Sequence, residues 1–133
     1  MKRSTLEYFL SLDMQLLNFY GMSETAACET IAWKNRVKFD RSGQACPGTH
    51  IKIFNPDEKG QGEICFKGRN MFVGYLKNEK ATRETIDPEG YVHSGDLGYL
   101  DQDGFLVISG RLKELIITGG GENVAPIPIE HKF

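Results

Sequence analysis

The chain has 133 residues and a mass of 15.0 kDa, enough for one ordinary domain or for parts of two. Hydrophobic residues make up 40% and charged residues 26% of the sequence, a globular composition that excludes an intrinsically disordered protein. Lysine and arginine total 16 against 18 acidic residues, the formal net charge is −2, and no strongly basic stretch occurs. We therefore expect no nucleic-acid partner, since proteins that bind the phosphate backbone carry basic patches.

The first segment predicts a helix. Residues 6–17 are fairly apolar, but Glu7 and Asp13 interrupt them and no small-residue cleavage site follows, so they fit a secretory signal poorly. Apolar residues at helical spacing predict an amphipathic helix instead: Leu6, Phe9, Leu10 and Met14. No run reaches the roughly 18 apolar residues that a membrane span needs, so we expect a soluble or at most peripheral protein.

Short β runs follow the helix. Residues 16–20 predict a buried strand that ends at Gly21, and residues 43–109 consist of short apolar runs divided by turn residues. Two strands are predicted at Ile51–Phe54 and Gly62–Lys67. Proline second and glycine fourth in residues 87–90 predict a type I turn, and Asp103-Gly104 predicts a hairpin. The middle of the chain therefore predicts a small antiparallel β subdomain with one side packed.

The last segment contains a short β run at Leu115–Ile117 and then three glycines, Gly119, Gly120 and Gly121. Consecutive glycines lose much backbone entropy in a regular element, so this loop either bends sharply or lets a ligand approach closely. Pro126 and Pro128 suggest that a helix begins there, because proline is tolerated in a first turn.

The cysteines offer no obvious metal site. Cys28, Cys46 and Cys65 are widely separated, form no C-x-x-C pair, and do not make a zinc-ligand spacing with the three histidines. Their odd number and wide spacing predict reduced thiols in a cytosolic protein, each packed as a small apolar side chain.

Three clusters carry residues suited to chemistry. In the first, which runs from Tyr20 to Thr25, hydroxyls and exposed amides could meet phosphate and Glu24 could hold magnesium. The alternative is a strand followed by a helix that Ser23 caps. The second, residues 93–98, predicts a glycine-bounded loop whose Asp96 could accept from ribose hydroxyls, with a simple Asx turn as the alternative.

The third cluster closes the β region. Arg111 and Lys113 could recognise hydroxyls or phosphate, or they could form a solvated charge pair with Glu114. None of the three clusters is decisive alone, and His93 beside Asp96 is a candidate base but also an ordinary structural histidine.

The order and spacing of the clusters resemble three successive core motifs of the adenylate-forming, or AMP-binding, superfamily. They read Tyr-Gly-Met-Ser-Glu-Thr (20–25), Gly-Tyr-Val-His-Ser-Gly-Asp-Leu-Gly (90–98) and Gly-Arg-Leu-Lys-Glu (110–114). Residues 7–13 and 119–130 further resemble the bubblegum-type long-chain fatty acyl-CoA synthetases. The resemblance extends over nearly the whole chain.

The resemblance implies a ligase that uses ATP, Mg²⁺ and coenzyme A. A fatty acid would form an acyl-adenylate and pyrophosphate, and coenzyme A would then displace AMP. Tyr20 would lie beside adenine, with Gly21 and Met22 lining that pocket. Ser23 or Thr25 would contact phosphate, and Glu24 would bind magnesium. Asp96 would bind the ribose together with Arg111. Lys113 would be a catalytic hinge, and Gly119, Gly120 and Gly121 would approach the coenzyme A arm.

The implied fold is α/β, an α+β fragment of a larger enzyme. Residues 1–40 would end the nucleotide-binding core of the large domain, 41–110 would form its β subdomain, 111–114 the hinge, and 115–133 the first β segment of the C-terminal domain. The superfamily's glycine-, serine- and threonine-rich phosphate loop and its C-terminal lysine do not occur in these residues.

We therefore expect an internal fragment whose parent is a fatty acid–CoA ligase and which alone has no turnover. The alternative is a non-catalytic short form that only binds nucleotide or a partner protein. We expect a cytoplasmic location, with peripheral contact at the endoplasmic reticulum through other parts of the protein.

Overall fold

The computed structural model describes residues 3–33, 36–117 and 123–124. The chain begins with helix α1 (Arg3–Ser11), which confirms the predicted helix but ends earlier than the apolar pattern suggested. Leu6 is buried and Phe9 half-buried, whereas Met14 lies beyond the helix and is exposed. The helix ends because Asp13 has a positive φ of 57° and the amide of Met14 turns back to the Phe9 carbonyl.

A small antiparallel sheet follows. It contains β1 (Phe19–Tyr20), β2 (Thr30–Ile31) and β3 (Gln44–Ala45), in that order. The predicted buried strand at residues 16–20 is wrong in extent and in burial, because only two residues pair and Phe19 is 66% exposed. β1 lies at the edge of the sheet and pairs only with β2 among the described strands, and its two residues are exposed and half-buried.

The main sheet has four antiparallel strands. They are β4 (His50–Phe54), β5 (Gly62–Lys67), β6 (Val92–Leu100) and β7 (Leu106–Arg111), in chain order across the sheet. The strands predicted at Ile51–Phe54 and Gly62–Lys67 are confirmed, as is the antiparallel arrangement. Apolar side chains at alternate positions of these strands form the core.

The predicted turns are also confirmed. The amide of Gly90 donates to the Asp87 carbonyl at 2.9 Å, and the amide of Gly104 donates to the Asp101 carbonyl at 2.9 Å. The second turn joins β6 to β7 with Leu100 opposite Leu106. Both glycines have positive φ, 83° and 76°, a conformation that other residues adopt only with strain.

The core joins the two sheets. Ile64, Phe66 and Leu106 are fully buried, and side chains from both sheets and from the segment after β5 pack against them: Tyr20, Ile51, Ile53, Met71 and Ile108. Burial of a side chain such as Phe66 contributes about 1.5–3 kcal/mol. The same packing holds Tyr20 in place, since its ring centroid lies 5.8 Å from that of Phe66.

A second helix, α2 (Glu79–Thr85), was not predicted from the sequence. Asn78 caps it by accepting from the Ala81 amide at 3.1 Å, and the exposed pairs Glu79–Arg83 and Lys80–Glu84 follow the helical spacing. The cap and these charge pairs were visible signals. Neither α1 nor α2, the helices of the described part of the chain, is long and apolar enough to cross a bilayer.

After β7 the chain makes a 3-10 turn, Leu112–Glu114, and enters β8 (Ile116–Ile117), which confirms the short β run predicted there. β8 pairs antiparallel with β9 (Asn123–Val124). The predicted glycine loop, Gly119 to Gly121, and the helix expected at Pro126 lie outside the described residues.

Candidate functional site

The three sequence clusters meet at Asp96. Its Oδ2 accepts from the Tyr20 hydroxyl at 2.5 Å, and its Oδ1 accepts from Arg111 Nε at 3.1 Å. Tyr20 reaches this point from β1, whereas Asp96 and Arg111 are directly opposite each other on β6 and β7. One residue from each predicted cluster therefore converges on a single carboxylate.

Tyr20 acts as a hydrogen-bond donor here. Burial, and then the bond to Asp96, raise the pKa of the Tyr20 hydroxyl above its ordinary value, so it stays protonated at physiological pH. Arg111 differs, because its side chain is 64% exposed while that of Asp96 is 14% exposed. The carboxylate thus has a shielded neutral partner on one side and a solvated cation on the other.

The loop predicted at residues 93–98 is wrong, because these residues lie within strand β6. The strand is bulged rather than interrupted. Glu63 of β5 pairs with Leu97 and Cys65 pairs with His93, so Ile64 alone faces Ser94, Gly95 and Asp96. Gly95 has a φ of +73°, which allows the extra residues to loop out without ending the pairing.

Specific bonds hold the bulge. Ser94 Oγ donates to the Ile64 carbonyl at 2.6 Å and accepts from the Asp96 amide at 3.0 Å. The Gly95 amide donates to Glu63 Oε1 at 3.0 Å. The bulge therefore fixes the backbone on which the Asp96 carboxylate is carried.

Three potential metal ligands lie behind the bulge. One oxygen of Glu63, Cys65 Sγ and a ring nitrogen of His93 all fall within 4.8 Å of one another. Glu63 Oε2 already contacts His93 Nδ1 at 2.7 Å, and burial raises the pKa of the Cys65 thiol to about 12. The His93 ring is hydrogen-bonded to one Glu63 oxygen and the Gly95 amide donates to the other, so these two side chains support the bulge.

The residues from Ser23 to Thr25 form a single 3-10 turn, not the start of a long helix. Met22, not Ser23, occupies the position before the turn. Thr25 is fully buried, and its hydroxyl bonds to the backbone of Met22 as donor and acceptor. Ser23 is exposed, which leaves its hydroxyl facing solvent.

Glu24 has a partner that sequence reasoning missed. Its Oε1 accepts from the Tyr75 hydroxyl at 2.7 Å, and its carbonyl accepts from the Phe72 amide at 2.7 Å. The bond to Glu24 raises the pKa of Tyr75. A carboxylate offers about four acceptor positions, so Glu24 keeps capacity for a hard cation such as Mg²⁺.

The buried carboxylate of Glu29 helps to hold the 3-10 turn at Ser23–Thr25 in place. Glu29 is fully buried and accepts from Thr49 Oγ1 at 2.9 Å and from Asn70 Nδ2 at 2.6 Å. Asn70 Nδ2 also donates to the Thr25 carbonyl at 2.8 Å. Sequence reasoning missed Glu29 because glutamate is rarely buried and no local pattern marks it.

Gly21 is required by close packing. A Cβ at this position would lie 2.2 Å from the Ala27 carbonyl oxygen and 2.9 Å from the Cys28 amide nitrogen. Any side chain would push the segment after the turn away from β1. Lys113 lies in the 3-10 turn after β7 and is exposed, and the predicted coenzyme A-facing glycines lie outside the described residues.

Comparison with known proteins identifies the family of the chain. Residues 1–76 match the family model described as AMP-binding enzyme. A long-chain-fatty-acid–CoA ligase, ACSBG2 of Gallus gallus, is 51% identical over 128 residues, which cover 96% of this chain and 17% of that protein. The human ACSBG1 ligase is 50% identical over 130 residues, which cover 98% of this chain and 18% of that protein.

Solved structures match as well. The O-succinylbenzoate coenzyme A synthetase of Bacillus subtilis, in complex with ATP and magnesium ion, has a TM-score of 0.86 and 32% sequence identity, over 98% of this chain and 28% of that one. ATP-bound MatB of Rhodopseudomonas palustris has a TM-score of 0.79 and 35% identity, over 89% of this chain and 24% of that one. The chain spans less than a fifth of the length of the ligases named above.

The sequence motifs, the fold and these matches agree. The chain belongs to the AMP-binding enzyme family and within it is similar to the bubblegum-type long-chain fatty acid–CoA ligases.

Proposed function

We propose that this chain supplies the nucleotide-facing segment of a ligase that converts a long-chain fatty acid, ATP and coenzyme A to acyl-CoA, AMP and pyrophosphate. The convergence of Tyr20 and Arg111 on the Asp96 carboxylate is the observation that carries the proposal. A pre-oriented carboxylate at the end of a bulge is suited to a diol, because each of its oxygens can accept more than one hydrogen bond. The relatives' ligase activity supports the same assignment.

The nucleoside would be held by the converging residues. Asp96 accepts from both ribose hydroxyls, with Arg111 on the exposed side of the carboxylate. The Tyr20 ring lies against adenine, and Gly21 and Met22 line the same pocket. The packing of Tyr20 on Phe66 supports this role, because it limits the ring to one orientation.

The phosphates would be held by the turn after β1. Glu24 binds Mg²⁺, and Ser23 rather than Thr25 contacts phosphate, since the Thr25 hydroxyl is buried and already bonded. Magnesium, when bound, offsets the repulsion between the fatty acid carboxylate and the α-phosphate. Tyr75 orients Glu24 for this task through its bond to Oε1.

The two half-reactions would share this site. Adenylation comes first, and coenzyme A then displaces AMP after residues 111–114 rotate as a hinge, with Lys113 at its centre. In this proposal residues 1–40 end the nucleotide-binding core, 41–110 form the β subdomain, 111–114 the hinge and 115–133 the start of the C-terminal domain. Gly119, Gly120 and Gly121 approach the coenzyme A arm. Hinges of a few residues that absorb a large backbone rotation are usual in such enzymes.

A segment exchange tests the proposal. These 133 residues replace the matching segment of the Gallus gallus ligase, and the chimera is assayed for fatty acid-dependent acyl-CoA formation. We expect turnover, and we expect Asp96→Ala to weaken ATP use by about 1–3 kcal/mol for each lost charged hydrogen bond. Glu84→Gln, an exposed change on α2, should leave ATP use unchanged.

A folded chimera that binds ATP but makes no acyl-CoA would contradict the ligase assignment and favour the binding-only alternative. An unchanged Michaelis constant for ATP in Asp96→Ala would contradict the ribose assignment specifically.

A further inference from the structure

Two cysteines that are distant in sequence meet in the fold. Cys28 Sγ and Cys46 Sγ lie 3.7 Å apart although 18 positions separate the residues. Cys28 precedes β2 and Cys46 follows β3, and the Cys46 amide donates to the Glu29 carbonyl at 2.9 Å, which extends the pairing of these strands. Both side chains are half-buried free thiols.

The two sulfurs are close to the separation that a disulfide needs. An S–S bond is about 2.05 Å long, so the two sulfurs are within about 1.7 Å of bonding distance. Cys65 is a contrasting case, because it is fully buried and its sulfur lies 3.5 Å from His93 Nδ1.

We propose that Cys28 and Cys46 form a reversible intramolecular disulfide when the protein meets a small-molecule disulfide such as oxidised glutathione. Formation of this bond does not depend on the proposed ligase activity. It adds an oxidisable pair to the segment that supports the nucleotide-facing turn.

The chemistry balances as two thiol–disulfide exchanges. The thiolate of either cysteine, taken as Cys28 for the bookkeeping, attacks one sulfur of oxidised glutathione and forms a mixed disulfide, and the first glutathione leaves as a thiolate that takes a proton. Cys46 then loses its proton and attacks the Cys28 sulfur, which releases the second glutathione. The two cysteines lose two electrons and two protons in total, and both go to the glutathione pair.

Proximity of the two sulfurs favours the second exchange. Burial, together with the neighbouring Cys28 thiol, raises the pKa of Cys46 to about 11, so the pair does not react through an unusually acidic thiol. The 3.7 Å separation of the sulfurs instead places the second thiol next to the mixed disulfide as soon as the first exchange has occurred.

The cross-link would constrain the backbone segment that packs against Gly21 of the candidate site. The Cys28 backbone packs against Gly21, where an added Cβ would approach its amide nitrogen to 2.9 Å. Oxidation therefore ties the segment behind Gly21 to the end of β3. We expect the oxidised chain to unfold at higher denaturant concentration than the reduced chain, with the difference removed by a reducing agent.

The test counts thiols in the folded chain. The 133-residue protein is equilibrated with excess oxidised glutathione, free thiols are alkylated, and the intact mass and peptide map are measured. We expect two of the three thiols to become protected, with a peptide that links Cys28 to Cys46 and no retained glutathione. Reduction should restore all three thiols.

Matched variants locate the bond. Cys65→Ser should still form the cross-link, whereas Cys28→Ser and Cys46→Ser should form none and at most carry one glutathione. Three alkylated thiols in the wild-type chain after equilibration, stable mixed disulfides in place of the link, or a link that includes Cys65 would each overturn the proposal. The wild-type peptide map decides the matter even if a serine variant does not fold.

Discussion

Asp96 accepts bonds from two side chains whose surroundings differ greatly. The ion pair with Arg111 is exposed at its cationic end, and such pairs contribute about 0–1 kcal/mol. The bond from Tyr20 is shielded and its acceptor is charged, a type worth about 1.5–3 kcal/mol. The tyrosine therefore positions the carboxylate more than the arginine does, which leaves Arg111 free to turn toward a ligand.

Tyr20→Phe tests this at the residue scale. The variant keeps the ring on Phe66 but loses the hydroxyl, so we expect a loss of about 1.5–3 kcal/mol in the free energy of unfolding at neutral pH. The folded pKa of Tyr20 lies above its unfolded value of 10.0, so the stabilisation is present below about pH 10 and declines as pH rises through the folded pKa. Urea titrations across this alkaline range measure the difference.

Tyr8→Phe is the matched control, because Tyr8 lies on α1 and is 61% exposed. It should change stability little. A Tyr20→Phe variant as stable as the wild type would show that the Tyr20–Asp96 bond does not hold the carboxylate.

At the scale of elements, strand β6 combines two irregularities within a few residues. The bulge toward β5 loops out residues around Gly95, and the register toward β7 shifts so that Ser109 is the extra residue on that strand. Asp96 is the last residue of the first bulge, and it lies opposite Arg111 on the other side of the strand. Together the two irregularities change the direction of the Asp96 side chain, while the four strands of the sheet stay paired. Bulges near active sites often have this effect.

Two glycines of β6 should respond differently to alanine. At Gly95 an added Cβ meets no atom within 4 Å, but the φ of +73° costs about 1–2 kcal/mol for a residue with a side chain. At Gly98 the Cβ would lie 2.2 Å from the Val107 carbonyl, so the β6–β7 pairing must separate. We expect Gly98→Ala to lower the urea midpoint much more than Gly95→Ala, and the reverse order would contradict the described register.

Asp101 links the β6–β7 hairpin to the segment before β3. Its Oδ1 accepts from the Phe105 amide at 2.9 Å, and its Oδ2 accepts from Arg41 Nε at 3.2 Å and from Lys38 Nζ at 3.3 Å. The Phe105 amide bond, with these cations, lowers the pKa of Asp101 to about 2. Its contribution to stability is therefore present above about pH 4 and is lost as pH falls toward 2.

Asp101→Asn should consequently be less stable than the wild type at neutral pH, with the difference shrinking as pH falls from about 4 to about 2. Thermal unfolding across this range measures the effect. Asp103→Asn, at an exposed position paired only with Lys38 among the described residues, should show much less pH dependence. A constant difference at all pH values would mean that the charge of Asp101 is not responsible.

At the scale of the whole molecule, one apolar core unites the two sheets. Phe66 and its neighbours come from the main sheet, while Tyr20 comes from the small one. Packing therefore couples the position of the first motif to that of the second, although 76 residues separate Tyr20 from Asp96. The exposed 3-10 turn at residues 112–114 follows this core rather than belonging to it.

Lys113→Pro tests the hinge in the chimeric ligase. Proline fixes φ near about −65°, so a residue that must rotate between half-reactions loses its freedom. We expect acyl-CoA formation to fall more than ATP–pyrophosphate exchange does. Lys113→Ala removes the side chain but leaves φ free and is the matched control, and equal losses in both half-reactions would indicate a static contact instead.

The sequence by itself determined the family and much of the local structure. Motifs of fixed residue types at fixed intervals carried the family, and turn residues such as Asp87 to Gly90 and Asp103-Gly104 marked the strand ends. These signals are local, because a turn type depends on the φ preferences of two or three residues. Strands β4 and β5 and the first helix were therefore predictable, and the cap at Asn78 would have revealed α2.

Only the tertiary structure decided how the site is assembled. The bulge that presents Asp96 depends on Glu63 and Ile64 of the neighbouring strand, and Glu24 is oriented by Tyr75, 51 positions away. The burial of Glu29 and the approach of Cys28 to Cys46 likewise arise from chain segments that meet only when the sheets form. Such contacts leave no local pattern, because their energy comes from packing between residues that are distant in sequence.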